Sequence, residues 1–148
     1  MVEVTGAAVP RLSRRDVATF ARKVLLTLGR MDKLEHEISD VSIAFVDDET
    51  MKGLNRKFRR KNKTTDVLTF RADDSYGDPA KSGRPLGDIV ISLDQARRQA
   101  SDEKHSLATE VRYLILHGLL HALGYDHETD RGEMSSLEVE VREVVGLE

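Results

Sequence analysis

The sequence predicts an α+β fold with one small sheet, in a single domain that spans residues 1–148. That length suits one compact domain, and no repeat, low-complexity tract or linker divides the chain. Hydrophobic residues make up 39 % of it, which is enough for a core. Strand-like and helix-like segments are mixed without regular β-α-β alternation, and this order favours α+β over a doubly wound parallel sheet.

The first two helices are predicted from their caps and apolar spacing. Over residues 13–29, Ser13 is a suitable N-cap, apolar residues recur on one face, and Gly29 is the expected stop. Asp47 and Asp48 are suitable caps for a second helix through residue 58. Both helices are therefore expected to pack one apolar face on the sheet.

The three remaining helices lie in the C-terminal half. We expect one over residues 94–100, capped by Asp94, and a strongly apolar one over residues 107–123, stopped by Gly124. The last, over residues 130–145, is predicted to place four apolar residues on one face: Met134, Leu137, Val141 and Val144.

Strands are predicted over residues 38–46, 66–70 and 88–93, which are rich in β-branched residues. In the first of them Val41, Ile43 and Phe45 alternate and are expected to share one face. Residues 71–86, rich in Gly, Asp, Ser and Pro, predict a long loop that is either a functional flap or loosely ordered.

Composition excludes several classes of protein. No apolar run approaches the roughly 18 residues of a transmembrane helix, and no signal peptide is expected at the start. The chain has no cysteine, which excludes disulfides and thiolate metal sites and fits the cytoplasm. The formal net charge of −3 means that any affinity for polyanions must come from a local basic patch.

Three of the five histidines lie in the segment HGLLHALGYDH, from His117 to His127. On a helix, His117 and His121 share one face with Cβ atoms about 5–6 Å apart, so both imidazoles can bind one ion. Gly124 allows a turn that brings His127 in as a third ligand. Three protein ligands and one open position are typical of a catalytic zinc site, although imidazoles also bind nickel, copper and iron.

A pair of histidines on a helix is more often not a metal site. Here, however, leucine and isoleucine surround the pair, and burying an unpaired imidazole would cost about 1–3 kcal/mol for each unmet polar group. Metal binding removes that cost. His36 and His105 lie in polar surroundings and are expected to be ordinary surface residues.

The histidine spacing is also that of the metzincin proteases, which suggests a metzincin-like zinc helix. Those proteases carry their general-base glutamate where this chain has Gly118. A peptidase is therefore disfavoured, because the usual proton acceptor is missing.

Residues 56–63, RKFRRKNK, form a dense basic run. Such a run is often only a solvated helix end, where cations favour the negative end of the helix dipole. Beside a metal site without a carboxylate base it instead suggests a phosphodiester substrate, which needs positive groups around the reacting phosphate. The candidates for guiding such a strand are Arg56, Arg60, Lys61 and Lys63.

The histidine segment resembles the signature of the YbeY family, metal-dependent endoribonucleases of ribosomal RNA maturation. Two further segments resemble blocks of that family: LNRKFR (residues 54–59) followed by TDVLTF (residues 65–70), and LGDIVI (residues 86–91). The likeness spans about residues 38–145. Asn62, Thr64 and Arg71 depart from the family's usual aspartate and two prolines, which concerns the local loop shape rather than the metal site.

The resemblance implies a mixed four-stranded sheet with about five helices, the extra strand coming from residues 2–9. It implies zinc held by His117, His121 and His127, and singles out Arg59, which we expect to clamp the scissile phosphate. Asp126 either orients a ligand histidine or caps the turn. The general acid and the general base are not assigned. The nucleophile is either water or the RNA 2′-hydroxyl.

The family acts on single-stranded RNA, in maturation of the 3′ end of small-subunit ribosomal RNA and in ribosome quality control. The implied partners are therefore single-stranded RNA and the small ribosomal subunit. Two other functions stay open: a non-catalytic ribosome assembly factor with a structural metal, and a zinc peptidase that activates water without a glutamate.

Overall fold

The computed structural model describes residues 1–72, 83–126 and 128–147. These ranges contain four strands and five helices, in the order β1 (Val2–Gly6), α1 (Arg14–Arg30), β2 (Ile38–Val46), α2 (Asp48–Arg59), β3 (Val67–Arg71), β4 (Arg84–Ser92), α3 (Leu93–Glu103), α4 (Leu107–Ala122) and α5 (Glu133–Val145). The predicted α+β class is confirmed, as is the strand implied near the start of the chain.

The strands form one mixed sheet in the order β1-β2-β4-β3. β1 and β4 both pair parallel with β2, and β3 pairs antiparallel with β4 at the sheet edge. The main core lies between one face of the sheet and α1, α4 and α5. On the other face, Met51 of α2 packs with Leu68 and Val90 in a smaller cluster.

The predictions for α1 and β2 are largely confirmed. Ser13 caps α1 in a reciprocal pair of hydrogen bonds with Asp16, and β2 has the expected bounds, with Val41, Ile43 and Phe45 buried. Gly29 as the stop is wrong. The helix continues through Arg30 to the C-cap Met31, because Asp32 rather than the glycine takes the left-handed conformation, with φ 57°.

The sheet edge and the following helix differ from expectation by a few residues. β3 includes Arg71 and β4 begins at Arg84, four residues before the predicted strand; residues 73–82 of the predicted loop lie outside the described residues. The predicted cap Asp94 is wrong: Ser92 caps α3, and the Asp94 carboxylate instead accepts from the backbone N–H of Asp48 at 2.8 Å. α3 also runs on to Glu103.

α5 starts three residues later than predicted, at Glu133. The carboxylate of Asp130 accepts from the backbone N–H groups of Gly132 and Met134, so this residue holds the turn before the helix. The helix does bury three of the four predicted residues, but Val144 is 62 % exposed and Val145 is buried in its place.

Asp48 links the start of α2 to α3 and to the turn before β3. Burial raises the pKa of Asp48, but hydrogen bonds from Arg98, Ser92 and Thr64 stabilise the carboxylate and hold its pKa below the usual range. The Thr64 hydroxyl makes its bond at 3.1 Å, an interaction that proline there would not provide. These contacts fix the helix that carries Arg59.

Candidate metal centre

α4 is the most buried helix and presents the two histidines. Ser106 caps its start, and its end has the geometry predicted for Gly124: that residue has φ 103°, its N–H bonds the His121 carbonyl, and the Tyr125 N–H bonds the Leu120 carbonyl. None of the helices in the described residues is long and apolar enough to cross a membrane. α4 is thus a core helix, and backbone N–H groups of the residues that follow it bond the carbonyls of its last turn.

The imidazoles of His117 and His121 face each other. Their Nε2 atoms lie 2.9 Å apart and their ring centroids 4.5 Å apart. Two nitrogens bound at about 2.0–2.1 Å to one tetrahedral ion are about 3.3 Å apart, so a change of a few tenths of an ångström fits both to one zinc. The donor pair predicted from the helical spacing is therefore present.

Glu138 of α5 fixes the orientation of the first imidazole. The Nδ1–H of His117 donates to Glu138 Oε1 at 2.9 Å, which leaves the lone pair on Nε2, the atom directed at His121. A carboxylate behind a ligand histidine in this way sets its tautomer and raises its basicity. Glu138 is not predicted from the sequence, because its acidic neighbourhood resembles a solvated helix face.

The third predicted ligand, His127, lies outside the described residues. Within the ranges that are described, no three potential metal ligands are grouped closely enough to hold an ion. His127 as a ligand stays a prediction. The geometry supports two imidazole donors and the hydrogen bond that orients one of them.

Gly118 lies against the sheet, where a side chain does not fit. A Cβ on this residue would meet Cγ2 of the fully buried Ile89 at 2.7 Å, and that atom is a branch methyl with no freedom to swing away. The helix position at which metzincins carry their glutamate is therefore used here for close packing of α4 on β4.

We expect Gly118→Ala to destabilise the fold by about 1–3 kcal/mol, because the added methyl overpacks the contact with Ile89. Gly53→Ala is the matched control: it lies within α2 with nothing within 4 Å of the new Cβ, and should stabilise by about 0.5–1 kcal/mol. Urea unfolding of both variants measures the difference. Equal stability of Gly118→Ala and the parent would contradict the close contact.

Arg59 lies against β3, the edge strand that contacts this helix. Its Nη2 donates to the Thr69 carbonyl of β3 at 2.7 Å, and its guanidinium carbon lies 5.8 Å from the centre of the Phe70 ring. The Thr69 hydroxyl lies 3.5 Å from the Gly118 carbonyl. Arg59 and the histidine helix thus contact the same residue from two sides, although the sequence separates them by more than fifty positions.

For the other predicted basic residues, the described contacts give no comparable link through β3 to the helix. Arg56, Arg60, Lys61 and Lys63 are all exposed around the end of α2, and no described contact joins their side chains to α4. They form a positive surface beside Arg59. Their role in guiding a strand stays a prediction.

Asp126 caps the turn after α4. Its Oδ1 accepts from the Glu128 N–H at 2.9 Å and its carbonyl accepts from the N–H of Asp130. This contact belongs to the turn-capping role; the alternative role, orienting a ligand histidine, stays a prediction.

Of the two histidines expected to be ordinary surface residues, His36 is exposed. His105 is not: its side chain is 26 % exposed, and its Nε2 lies 2.7 Å from a carboxylate oxygen of the buried Glu110. This expectation is wrong, because Glu110, five residues further along the chain, is buried in the first turn of α4 and holds the His105 ring there.

Comparison with known proteins identifies a family. Residues 7–146 match the sequence profile described as Endoribonuclease YbeY. A relative from Nautilia profundicola is 49 % identical over 108 residues, which cover 73 % of each chain, and one from Koribacter versatilis is 40 % identical over 136 residues, 92 % of this chain and 84 % of the relative. Both are named Endoribonuclease YbeY.

The fold also matches a solved structure. The solution structure of TM1509 from Thermotoga maritima superposes with a TM-score of 0.64 at 23 % identity, covering 99 % of this chain and 90 % of that one. The profile match spans nearly the whole sequence, and the relatives are well above 30 % identical. The chain belongs to the endoribonuclease YbeY family.

Proposed function

We propose that this chain is a single-strand-specific, zinc-dependent endoribonuclease that acts in the cytoplasm, in maturation of the 3′ end of small-subunit ribosomal RNA and in ribosome quality control. Endoribonuclease activity follows from membership of the family. The observation that supports the zinc requirement is the 2.9 Å distance between the Nε2 atoms of His117 and His121. Glu138 orients the His117 ring by accepting a hydrogen bond from its Nδ1–H.

His117, His121 and His127 would hold the ion. Bound there, zinc supplies Lewis acidity toward a water molecule or a phosphoryl oxygen. Neutral imidazoles suit this role, because they leave the positive charge of the ion available to an anionic phosphodiester. Glu138 keeps the Nδ1 proton of His117 in place, so that the ring presents its lone pair and not an N–H.

Arg59 binds the scissile phosphate in this proposal. Its guanidinium is exposed at the β3 edge, and a planar fork can hold two phosphate oxygens together. The contact to the Thr69 carbonyl orients the group with one nitrogen and leaves further N–H donors for the ligand. Arg56, Arg60, Lys61 and Lys63 would add charge along the incoming strand and raise affinity without base specificity.

A zinc peptidase has little support, because the packing of Gly118 on Ile89 leaves no room for the usual glutamate. A non-catalytic assembly factor with a structural metal is the stronger alternative. It predicts that zinc stabilises the fold while Arg59 has no effect on RNA integrity.

The deciding assay compares cleavage of a single-stranded RNA by the wild type, Arg59→Ala, His121→Ala and the control Arg15→Ala, all purified in parallel. We expect Arg59→Ala to lose about 10²–10³-fold in rate, the usual effect of removing one group that stabilises transition-state charge. His121→Ala should be inactive and Arg15→Ala unchanged.

Equal residual activity in all four proteins would indicate a contaminating nuclease and reject the enzyme. A duplex of the same sequence tests strand specificity and should stay intact. The product ends identify the nucleophile, since a cyclic phosphate would show attack by the 2′-hydroxyl.

A further inference from the structure

A polar cavity lies at the C-terminal end of the histidine helix. It has a volume of about 430 Å³ and is lined by the turn after α4, the ends of β3 and β4, and the segment that follows α1. Among the described residues that line it, Lys33, Arg71 and Arg84 carry positive charge and Glu35 carries a carboxylate. Arg84 already has a partner, so the described lining contributes positive charge through Lys33 and Arg71, in a chain whose net charge is −3.

β3 runs beside α4 between the metal centre and this cavity. The Thr69 hydroxyl lies beside the Gly118 carbonyl. Arg71 is two residues further along and shares the same face of the strand. Its Nη2 lies 3.6 Å from the position that a Cβ on Gly124 would take. Thr69, whose carbonyl accepts from Arg59, thus lies near the start of the His117–Gly124 stretch, and the Arg71 guanidinium lies near its end.

The simplest role for Arg71 is to complement the negative end of the α4 dipole. The helix end, however, already bonds its last carbonyls through the N–H groups of Gly124 and Tyr125. In the described residues the Arg71 guanidinium makes no hydrogen bond or ion pair, and the side chain is exposed. Its donors therefore remain available to a ligand.

We propose that this cavity binds a backbone phosphate of single-stranded RNA that flanks the scissile one, with Arg71 as the principal contact and Lys33 as added charge. The inference rests on the proposed function, because it extends the path of the same substrate along α4. The strand would cross the two histidines with one phosphate at Arg59 and a neighbouring phosphate in the cavity.

The test measures binding of a fluorescent 2′-O-methyl RNA of about twelve nucleotides to the zinc-loaded protein over a range of salt concentrations, with the oligonucleotide checked for integrity on a gel. Loss of one phosphate contact on a single strand lowers the slope of log K against log salt by about 0.7, which is about fivefold in affinity at 0.1 M salt. We expect this change for Arg71→Gln and its rescue by Arg71→Lys.

Arg15→Gln is the matched control. Arg15 lies away from the cavity. Its neighbour Arg14 donates to the Gly6 carbonyl, and Gly6 pairs with Phe45 near one end of β2, whereas the cavity residue Ile38 is at the other end. The slope should not change. A slope and affinity for Arg71→Gln equal to the wild type, or an equal loss in Arg15→Gln, would overturn the subsite.

These outcomes are distinct from failure of the proposed function. RNA that binds with the expected Arg71 dependence but is never cut in the cleavage assay overturns the activity and keeps the subsite. RNA that is cut, with a salt slope indifferent to Arg71, overturns the subsite alone. A wild type that binds no RNA overturns both.

Discussion

Replacement of His121 by alanine is expected to abolish tight zinc binding, because one of the two facing imidazole donors is lost. Wild-type protein at free zinc 100-fold above the dissociation constant should gain about 2.7 kcal/mol of stability, and the variant none. For a chain of this length that corresponds to about 5–10 °C in Tm. Elemental analysis after dialysis, together with thermal unfolding with and without zinc, measures both effects.

His105→Gln is the control for this experiment, since it removes a histidine that bonds Glu110 and keeps a donor for that carboxylate. It should retain one zinc per chain. Wild-type protein that holds no metal at neutral pH, or a His121→Ala variant with unchanged zinc content, would reject the metal centre. In either case the zinc requirement of the proposed function is rejected with it.

Glu138→Gln should weaken zinc binding about 10–100-fold with little change in the stability of the metal-free fold. Glutamine has the same shape and can still accept from His117 Nδ1–H, but it lacks the negative charge that raises the basicity of the ring. Competition with a chelator of known affinity measures the loss directly. The RNA cleavage rate should fall in parallel when zinc is limiting and recover when zinc is raised.

Glu140→Gln serves as the matched control, because Glu140 lies on the same helix and is exposed. It should bind zinc as tightly as the parent protein. If Glu138→Gln also binds zinc at full affinity, the hydrogen bond orients the ring without tuning it. A loss of zinc affinity that excess zinc does not rescue would instead point to a folding defect.

Elements with strong local signals were predicted well. β2 alternates cleanly and α1 carries its own cap, so neither depends on distant contacts for its bounds. β1 alternates too weakly to be identified alone, because it is an edge strand that is exposed along most of its length. Ser92 and Asp94 are both good caps in sequence, and the choice between them depends on Asp94 being engaged by the N–H of Asp48.

In the candidate site too, local features can be predicted from the sequence and features that depend on tertiary packing cannot. The histidine pair on α4 follows from helical spacing, and its Nε2 atoms do converge. Glu138 could not be found, since it reaches His117 only after α5 packs against α4, and its sequence context is an acidic run. The placement of Arg59 against β3, the strand that contacts α4, likewise depends on β3 pairing at the sheet edge, which no local pattern encodes.

The contact between Gly118 and Ile89 also bears on how an ion is captured. The Gly118 backbone packs closely on the Ile89 side chain of the interior strand β4, so the segment that carries both imidazoles is held against the sheet. The conformational entropy of the two imidazoles is thus lost when the chain folds, and not when an ion binds. If the pair binds the proposed ion, its preorganisation should make that binding tighter than binding by the same two rings on a frayed helix.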